Sequence, residues 1–191
     1  MRFTSSGLLF IACLSLPGAA VAQTSQPGDL WFSGGVGGGW ARVSCAICQG
    51  ERELGATGYM RVGTNVRDGI LLGAEGNGWT RDLDENGREW VGGIGAVGYL
   101  YPKPAGSLFV KVGVGYLTYR ANNDEDERIS TGSLGVQLGA GYEFRIGSSL
   151  HITNYMNLLA SSFGKLRAED DPVVGDVSVT LLQIGVGLTR R

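Results

Sequence analysis

The sequence has few of the residues that build metal centres, and it has no excess of positive charge. Its 191 residues include one histidine and three cysteines, and the formal net charge at pH 7 is −2. Because nucleic acid is bound by clustered positive charge, this balance excludes a basic nucleic-acid-binding surface. The small supply of cysteine and histidine argues against a zinc centre.

Long apolar runs are missing beyond the N-terminus. Residues 1–22 have the parts of a secretory signal peptide: Arg2, the apolar stretch Gly7–Leu16, and the small residues Ala20–Ala22. We therefore expect cleavage after Ala22 and one domain over residues 23–191. After Ala22 no stretch of about eighteen apolar residues remains, so a membrane-embedded chain must be a closed barrel of strands.

Glycine is the abundant residue, with 33 in the chain and no collagen-like period. The segment Ile129–Ile146 shows how these glycines are used. From Leu134 onward its even positions are apolar, whereas its odd positions are mostly glycine with a few polar residues. Because side chains alternate across a strand, the segment predicts a strand with one apolar face and one face of glycine and polar groups.

Seven further segments repeat this two-faced pattern. The eight predicted strands are Leu30–Arg42, Glu53–Thr64, Gly69–Arg81, Arg88–Tyr101, Ser107–Arg120, Ile129–Ile146, Ser149–Phe163 and Val177–Thr189. Most reach the roughly 9–11 residues that a tilted transmembrane strand needs, and their number is even. In the last segment Val177 and Val179 are out of phase with the later apolar positions, which predicts a bulge near Leu181.

The connections between these segments alternate in length. Asn65–Asp68, Pro102–Gly106 and Gly147–Ser148 are short, and most of the others are longer, including Gly164–Asp176. Short periplasmic turns and longer outer loops are typical of outer-membrane barrels. The fold class predicted is therefore all-β: an eight-stranded antiparallel up-and-down transmembrane β-barrel.

The alternative fold is a soluble periplasmic barrel that binds a ligand, as lipocalins do. Its polar face would meet water and be rich in charged residues, and its apolar face would turn inward. The non-apolar face here is mostly glycine, which favours the membrane barrel. Aromatic residues towards the strand ends are predicted to form interfacial girdles, namely Trp31, Trp40, Trp79, Trp90, Tyr101, Tyr116, Tyr119 and Tyr142.

On the signal, the eight segments and the connection lengths, the chain resembles the small eight-stranded outer-membrane barrels of the OmpA/OmpX type over nearly all of Leu30–Thr189. The resemblance implies a monomer in the bacterial outer membrane with a non-enzymatic structural or surface-interaction role. Its expected surroundings are outer-membrane lipid and lipopolysaccharide, and its loops are free to meet an unknown surface partner. No cofactor is expected.

Polar residues on the predicted inner face form the main candidate site. By parity they are Arg61, Glu75, Lys111, Gln137, Glu143, Arg145, Tyr155, Asn157 and Gln183. They either line a pore or fill the barrel as a network of ion pairs and hydrogen bonds. Because eight strands leave just enough room for side chains and buried charges must be paired, we expect the filled network.

The first loop contains Cys45-Ala46-Ile47-Cys48. A C-x-x-C pair can form a disulfide, take part in redox chemistry or supply half of a metal site. No second cysteine pair follows, and an exported protein meets an oxidising compartment. We therefore predict a disulfide between Cys45 and Cys48, with redox or metal chemistry as the alternative.

Three other motifs suggest chemistry. Gly93–Gly98 fits the dinucleotide pattern G-x-G-x-x-G, but Pro102 follows where the required helix would have to run. His151–Asn154 resembles the His-x-Ser-Asn region of outer-membrane lipid A deacylases, which makes lipid A modification an enzymatic alternative. A solvated loop is the ordinary interpretation of the acidic run Asp124–Glu127, with divalent cation binding as the alternative.

Overall fold

The computed structural model describes residues 28–44, 50–83, 87–103, 106–122, 128–168 and 171–191. Its eight strands are β1 (Leu30–Ser44), β2 (Glu53–Arg67), β3 (Ile70–Asp82), β4 (Arg88–Leu100), β5 (Leu108–Asn122), β6 (Arg128–Arg145), β7 (Leu150–Ala168) and β8 (Asp171–Arg190). Each strand pairs antiparallel with the next, and β8 pairs with β1 to close the barrel. The predicted fold is confirmed.

The alternating pattern sorts the side chains into an apolar outer face and a mixed inner face. Leu30, Val36, Met60 and Leu134 each expose more than 70% of their surface on the outside. The soluble-barrel alternative required this apolar face to be the core, and it is wrong for that reason. None of the described residues forms a helix long and apolar enough to cross a membrane.

Short connections join the strands at one end of the barrel, called the turn end here. The turn after β2 contains Asp68 and Gly69, and Gly69 has a φ of 75°, which glycine adopts without strain. The pairing of β2 with β3 shifts register between Asn65 and Arg67 beside this turn. The start of β1 and the end of β8 lie at the same end, and the opposite end is called the loop end.

The last hairpin is longer than the sequence pattern predicts. Residues 164–168 belong to β7 and residues 171–176 to β8, so most of the predicted loop Gly164–Asp176 is strand. The ladder between these two strands shifts register three times between Ser161 and Arg167. These irregularities interrupt the alternation of apolar and polar positions, which is why the sequence resembles a loop there.

The predicted bulge near Leu181 is absent. The pairing of β8 with β1 runs without a shift from Ser178 to Arg190. Val177, Val179 and Leu181 are all buried inside the barrel. The inner face itself becomes apolar towards the loop end, and this change, not a change of phase, explains the apparent break in the pattern.

Only half of the predicted aromatic girdle faces outward. Trp40, Trp90, Tyr116 and Tyr142 are exposed on the outer surface. The others are buried in the barrel interior, namely Trp31, Trp79, Tyr101 and Tyr119. Because successive residues of a strand point to opposite faces, position near a strand end does not decide which face an aromatic residue joins.

Candidate functional site

The interior is filled by three layers of side chains. The aromatic layer, towards the turn end, consists of Trp31, Leu71, Val97, Tyr99, Tyr101 and Phe109. The polar layer, in the middle, consists of Arg61, Glu75, Asn77, Lys111, Gln137, Asn157 and Gln183. The third layer lies inside the barrel, towards the loop end, and is called the outer apolar layer here. It consists of Ala41, Trp79, Val91, Leu117, Tyr119, Leu159, Val179 and Leu181.

Glu75 is the centre of the polar layer. Its Oε1 pairs with the Nζ of Lys111 and accepts a hydrogen bond from Asn77 Nδ2 at 2.9 Å. Its Oε2 accepts one from the Tyr99 hydroxyl at 2.5 Å and lies 3.9 Å from Arg61 Nη1. The Glu75 and Lys111 side chains have no exposed surface. Both carboxylate oxygens are therefore held by charge-assisted contacts, as a buried carboxylate requires.

Glycine makes the room that these long side chains need. Glu75 faces Gly95 in the next strand, and Gly115 and Gly135 continue the same row across β5 and β6. A Cβ atom at Gly95 would lie 2.7 Å from the Nε2 atom of Gln137. The glycines of the inner face therefore allow Gln137 to reach the middle of a narrow barrel.

Arg61 joins the polar layer to the aromatic layer. Its guanidinium carbon lies 4.4 Å from the ring centroid of Tyr59, 5.1 Å from that of Tyr99 and 5.4 Å from that of Phe109. The same guanidinium donates hydrogen bonds to the hydroxyls of Tyr59 at 3.0 Å and Tyr99 at 3.3 Å. These ring faces and hydroxyls solvate a cation that has left water.

Amide side chains extend the polar layer towards β7 and β8. Asn77 Nδ2 lies 3.4 Å from Gln137 Oε1, and Asn157 Nδ2 lies 3.4 Å from Gln183 Oε1. Gln183 Nε2 donates to the Gly78 carbonyl at 3.2 Å. Six of the predicted inner-face residues thus lie together in the polar layer. The seventh member of this layer, Asn77, is not in the predicted set.

The other three predicted residues lie apart from Glu75. Glu143, near the turn end, pairs with Arg191 and accepts a hydrogen bond from the Tyr101 hydroxyl at 3.0 Å. Burial and the adjacent Glu143 carboxylate raise the pKa of Tyr101 above its usual range, so this hydroxyl stays protonated. Tyr155 is buried and packs edge to face on Tyr59.

Arg145 does not enter the interior. It is exposed at the end of β6, and it donates to the turn carbonyls of Gly147 at 3.0 Å and Ser148 at 2.9 Å. Its parity is that of an inner-face residue, but the strand ends at this position. A long side chain at the barrel rim therefore reaches the turn instead of the polar layer.

A further ion cluster at the loop end was not predicted. Arg81 pairs with Glu53 and with Glu89, and Glu89 also accepts a hydrogen bond from the Tyr119 hydroxyl at 2.9 Å. These groups lie beyond the outer apolar layer on the inner face. Arg81 lies two residues after Trp79, and Glu89 lies two residues before Val91. Because side chains two residues apart share a face of a strand, the inner-face positions of Trp79 and Val91 also predict Arg81 and Glu89 on the inner face.

The geometry around His151 bears on the enzymatic alternative. His151 is half-buried near the turn end, at the second residue of β7. Thr153 is fully buried, and its hydroxyl lies 2.7 Å from that of Thr189, which itself bonds to Ser33 at 2.8 Å. The only hydroxyl in the His151–Asn154 motif is thus enclosed in a separate hydrogen-bond chain.

The remaining sequence motifs are placed as follows. Gly93–Gly98 lies within β4, which is paired along its length with β3 and β5, and no helix follows it in the described residues. Cys45, Cys48 and the acidic run Asp124–Glu127 lie outside the described residues, so the disulfide stays a prediction.

A closed antiparallel barrel of eight strands with an apolar outer face defines the class of small outer-membrane barrels. The chain matches the outer membrane protein beta-barrel domain family over residues 6–189 and belongs to that family. Its place is therefore the bacterial outer membrane. No curated protein sequence matches the chain.

Several solved structures share the fold. Neisserial surface protein A (NspA) superposes with a TM-score of 0.53 at 12% identity, covering 84% of this chain and 96% of that one. The attachment invasion locus protein Ail of Yersinia pestis gives 0.51 at 14% identity, covering 86% and 99%. OprG of Pseudomonas aeruginosa gives 0.53 at 11% identity, covering 86% and 97%. Similarity at such low identity shows the shared fold alone.

Proposed function

We propose that the protein is a non-enzymatic, monomeric outer-membrane protein with a structural or surface-interaction role. In this proposal the barrel is a closed scaffold, and its outer loops meet solvent, lipopolysaccharide or a surface partner. The observation that carries it is the filling of the interior. The polar layer and the outer apolar layer succeed one another along the barrel, and side chains in both are fully buried.

Burial within each layer argues against small-solute conduction. Glu75 and Gln137 have no exposed surface, and neither do Val91 and Leu181 nearer the loop end. A hydrated channel would have to wet a charged layer and an apolar layer in succession, and eight strands provide little width for this. The barrel therefore fits a scaffold better than a pore.

The surroundings of His151 support a role other than lipid A modification. Nucleophilic catalysis needs a hydroxyl within hydrogen-bond reach of its base and open to the substrate. Thr153 is buried and bonded to Thr189. His151 lies at the turn end, which is the periplasmic end in our orientation, whereas lipid A occupies the outer leaflet.

Export through a signal peptide belongs to the same proposal. Residues 1–22 lie outside the described residues, so cleavage after Ala22 stays a prediction. N-terminal sequencing of the protein recovered from outer membranes tests it, and a mature chain beginning at Gln23 is the expected result. Any other first residue would contradict the predicted site.

Planar-bilayer recording is the main test of the closed scaffold. The purified protein is inserted into bilayers in potassium chloride after a gel has shown that its folded band shifts on boiling. We expect no discrete conductance steps. Reproducible steps from folded protein would contradict the scaffold and favour a pore.

A lipid analysis tests the non-enzymatic role. Lipid A is extracted from cells that lack the protein, express it, or express His151→Ala, and the acyl chains are read by mass spectrometry. We expect the same acylation in all three. A change that depends on His151 would favour the enzymatic alternative.

Epitope tags placed between β5 and β6 test the orientation of the barrel in the membrane. They should be detected on intact cells, and tags detected only after lysis would contradict the proposed orientation.

A further inference from the structure

The polar layer contains more positive than negative charge. Arg61 and Lys111 are cations, Glu75 is the carboxylate that both of them contact, and all three side chains are at most 2% exposed. The other buried carboxylate that the structure describes, Glu143, is paired with Arg191 near the turn end. Within the part of the chain that the structure describes, the polar layer therefore has one positive charge without a counter-charge.

An unbalanced charge is unfavourable in the middle of the barrel. Moving an ion out of water costs free energy unless an opposite charge and hydrogen bonds compensate for it. The rings of Tyr59, Tyr99 and Phe109 and two tyrosine hydroxyls contact the Arg61 guanidinium, but these groups carry no net charge. Water would form hydrogen bonds without neutralising the layer. The charge count therefore points to a bound anion.

The orientation of the Gln137 amide leaves a buried donor in the same layer. Asn77 turns its Nδ2 towards the Glu75 carboxylate, to which it donates a hydrogen bond at 2.9 Å. The same Nδ2 lies 3.4 Å from Gln137 Oε1, so the oxygen of Gln137 faces Asn77 and its Nε2 points elsewhere. Gln137 has no exposed surface, and its Nε2 has no hydrogen-bond partner among the described residues. This nitrogen is therefore available to an acceptor inside the barrel.

Lys111 and Gln137 are close neighbours on the inner face. β5 and β6 pair Lys111 with Gly139 and Gly113 with Gln137, so the two long side chains occupy one diagonal of a square and glycines occupy the other. Diagonal neighbours lie about 7–8 Å apart, within reach of long side chains. A Cβ atom at Gly139 would lie 3.0 Å from Lys111 Cε, and one at Gly115 would lie 3.0 Å from Gln137 Nε2. Both side chains therefore use space that glycine leaves open.

We propose that the polar layer binds one small monovalent anion, such as chloride, beside Lys111 and Gln137. Lys111 attracts the ion by its charge, and Gln137 Nε2 donates a hydrogen bond to it. A single negative charge matches the excess of one, whereas a divalent anion would make the layer negative. Because buried layers lie on both sides, the ion is enclosed when the barrel folds. The site is compatible with a closed scaffold and does not depend on what the loops bind.

Replacing chloride at constant ionic strength tests the site. The protein, folded in phosphatidylcholine vesicles, is unfolded in urea while tryptophan fluorescence is read, and sodium chloride is replaced in steps by sodium gluconate, whose anion is much larger. A ligand that binds only the folded state stabilises it by mass action. While the site is saturated, each tenfold fall in chloride should raise the unfolding equilibrium constant by nearly tenfold, because unfolding releases one ion. Bromide should replace chloride in this experiment.

Two substitutions with matched controls separate the proposed site from a general salt effect. Lys111→Met removes the excess charge, and Lys103→Met makes the same change at an exposed residue between β4 and β5. Gln137→Glu places a carboxylate at the proposed site and keeps an oxygen that faces Asn77. Gln137→Met removes the donor at the same position without adding a charge.

We expect Lys111→Met and Gln137→Glu each to abolish the dependence on chloride. Lys103→Met should keep it, and Gln137→Met should move it to higher chloride concentrations. If Lys111→Met gives no folded band that shifts on boiling, the parent protein and Gln137→Glu decide the question. Equal stability of the parent protein in chloride and in gluconate overturns the proposal, because the layer would then hold water alone or an uncharged Lys111. An unchanged dependence in Gln137→Glu also overturns it, since the ion would then act elsewhere.

Discussion

On β1, the neighbouring glycines Gly37 and Gly38 point to opposite faces of one strand and meet opposite surroundings. A Cβ atom at Gly37 would lie 2.1 Å from the carbonyl oxygen of Ile184, whereas one at Gly38 would have no neighbour within 4 Å. Inside the barrel, glycine is required because closely curved strands and long polar side chains leave no space. On the outer face, the missing side chain of Gly38 leaves open space at the barrel surface. Glycine therefore stands on both faces of β1, but steric crowding explains it only at Gly37.

The largest effect is expected at the centre of the inner face. Glu75→Gln removes the only carboxylate that contacts Lys111 and Arg61 among the described residues, so two buried cations lose their counter-charge. We expect the free energy of unfolding to fall by about 3–5 kcal/mol, measured by urea unfolding in lipid with tryptophan fluorescence. Adding Lys111→Met should recover part of the loss. Additive losses in the double variant would contradict the pairing.

The pair Gly37→Ala and Gly38→Ala tests the comparison directly. We expect Gly37→Ala to cost about 2 kcal/mol, because the new methyl group collides with the backbone of β8. Gly38→Ala should be neutral or stabilise the fold by about 0.5 kcal/mol, since alanine loses less entropy than glycine in a strand. The same unfolding measurement serves both. Equal losses would mean that the two faces do not differ in packing.

A tryptophan pair gives a smaller contrast. Trp79 donates a hydrogen bond from its indole nitrogen to the Gly39 carbonyl at 3.0 Å inside the barrel, whereas Trp40 faces outward. Trp79→Phe should cost about 1 kcal/mol or slightly more, because it leaves a buried carbonyl without its partner. Trp40→Phe should change stability by much less. A larger loss at Trp40 would show that the lipid interface holds this aromatic residue more strongly than the interior holds Trp79.

The smallest effect is expected at Arg145, whose side chain is exposed at the barrel rim and donates to the turn carbonyls of Gly147 and Ser148. Arg145→Gln should change the free energy of unfolding by no more than about 0.5 kcal/mol, as for most surface substitutions. Glu75→Gln is the matched comparison within the predicted set. A loss at Arg145 close to that at Glu75 would place it in the polar network after all.

Much of the fold could be predicted because a period of two is a strong signal over eight long strands. Parity also placed Arg61, Glu75 and Lys111 on the inner face, since β2, β3 and β5 are regular around these residues. Which groups these three side chains contact depends on how far each side chain reaches across the barrel. That distance follows from strand register and tilt, and a single sequence does not contain either.

The errors have a common origin in how each face was characterised. Position near a strand end predicts Trp31 and Trp79 at the outer interface, because aromatic residues there often mark it, although their parity is that of the inner face. The predicted bulge near Leu181 rests on the expectation that the inner face stays polar along the whole strand. Burial in the outer apolar layer makes an apolar inner residue favourable, so hydropathy alone misassigns the face there.

The contact between Thr189 and Ser33 joins residues 156 positions apart and lies at the seam between the last strand and the first. Closing this seam pairs the two strands that are farthest apart in the sequence, so it carries the largest loop-closure cost of the eight strand pairings. Until the seam closes, β1 and β8 each present an open edge, and open edges recruit other strands. Slow, late closure is therefore expected from the topology, since contacts between distant residues form slowly. Before closure, those two edges are therefore the places where a second chain would pair most readily.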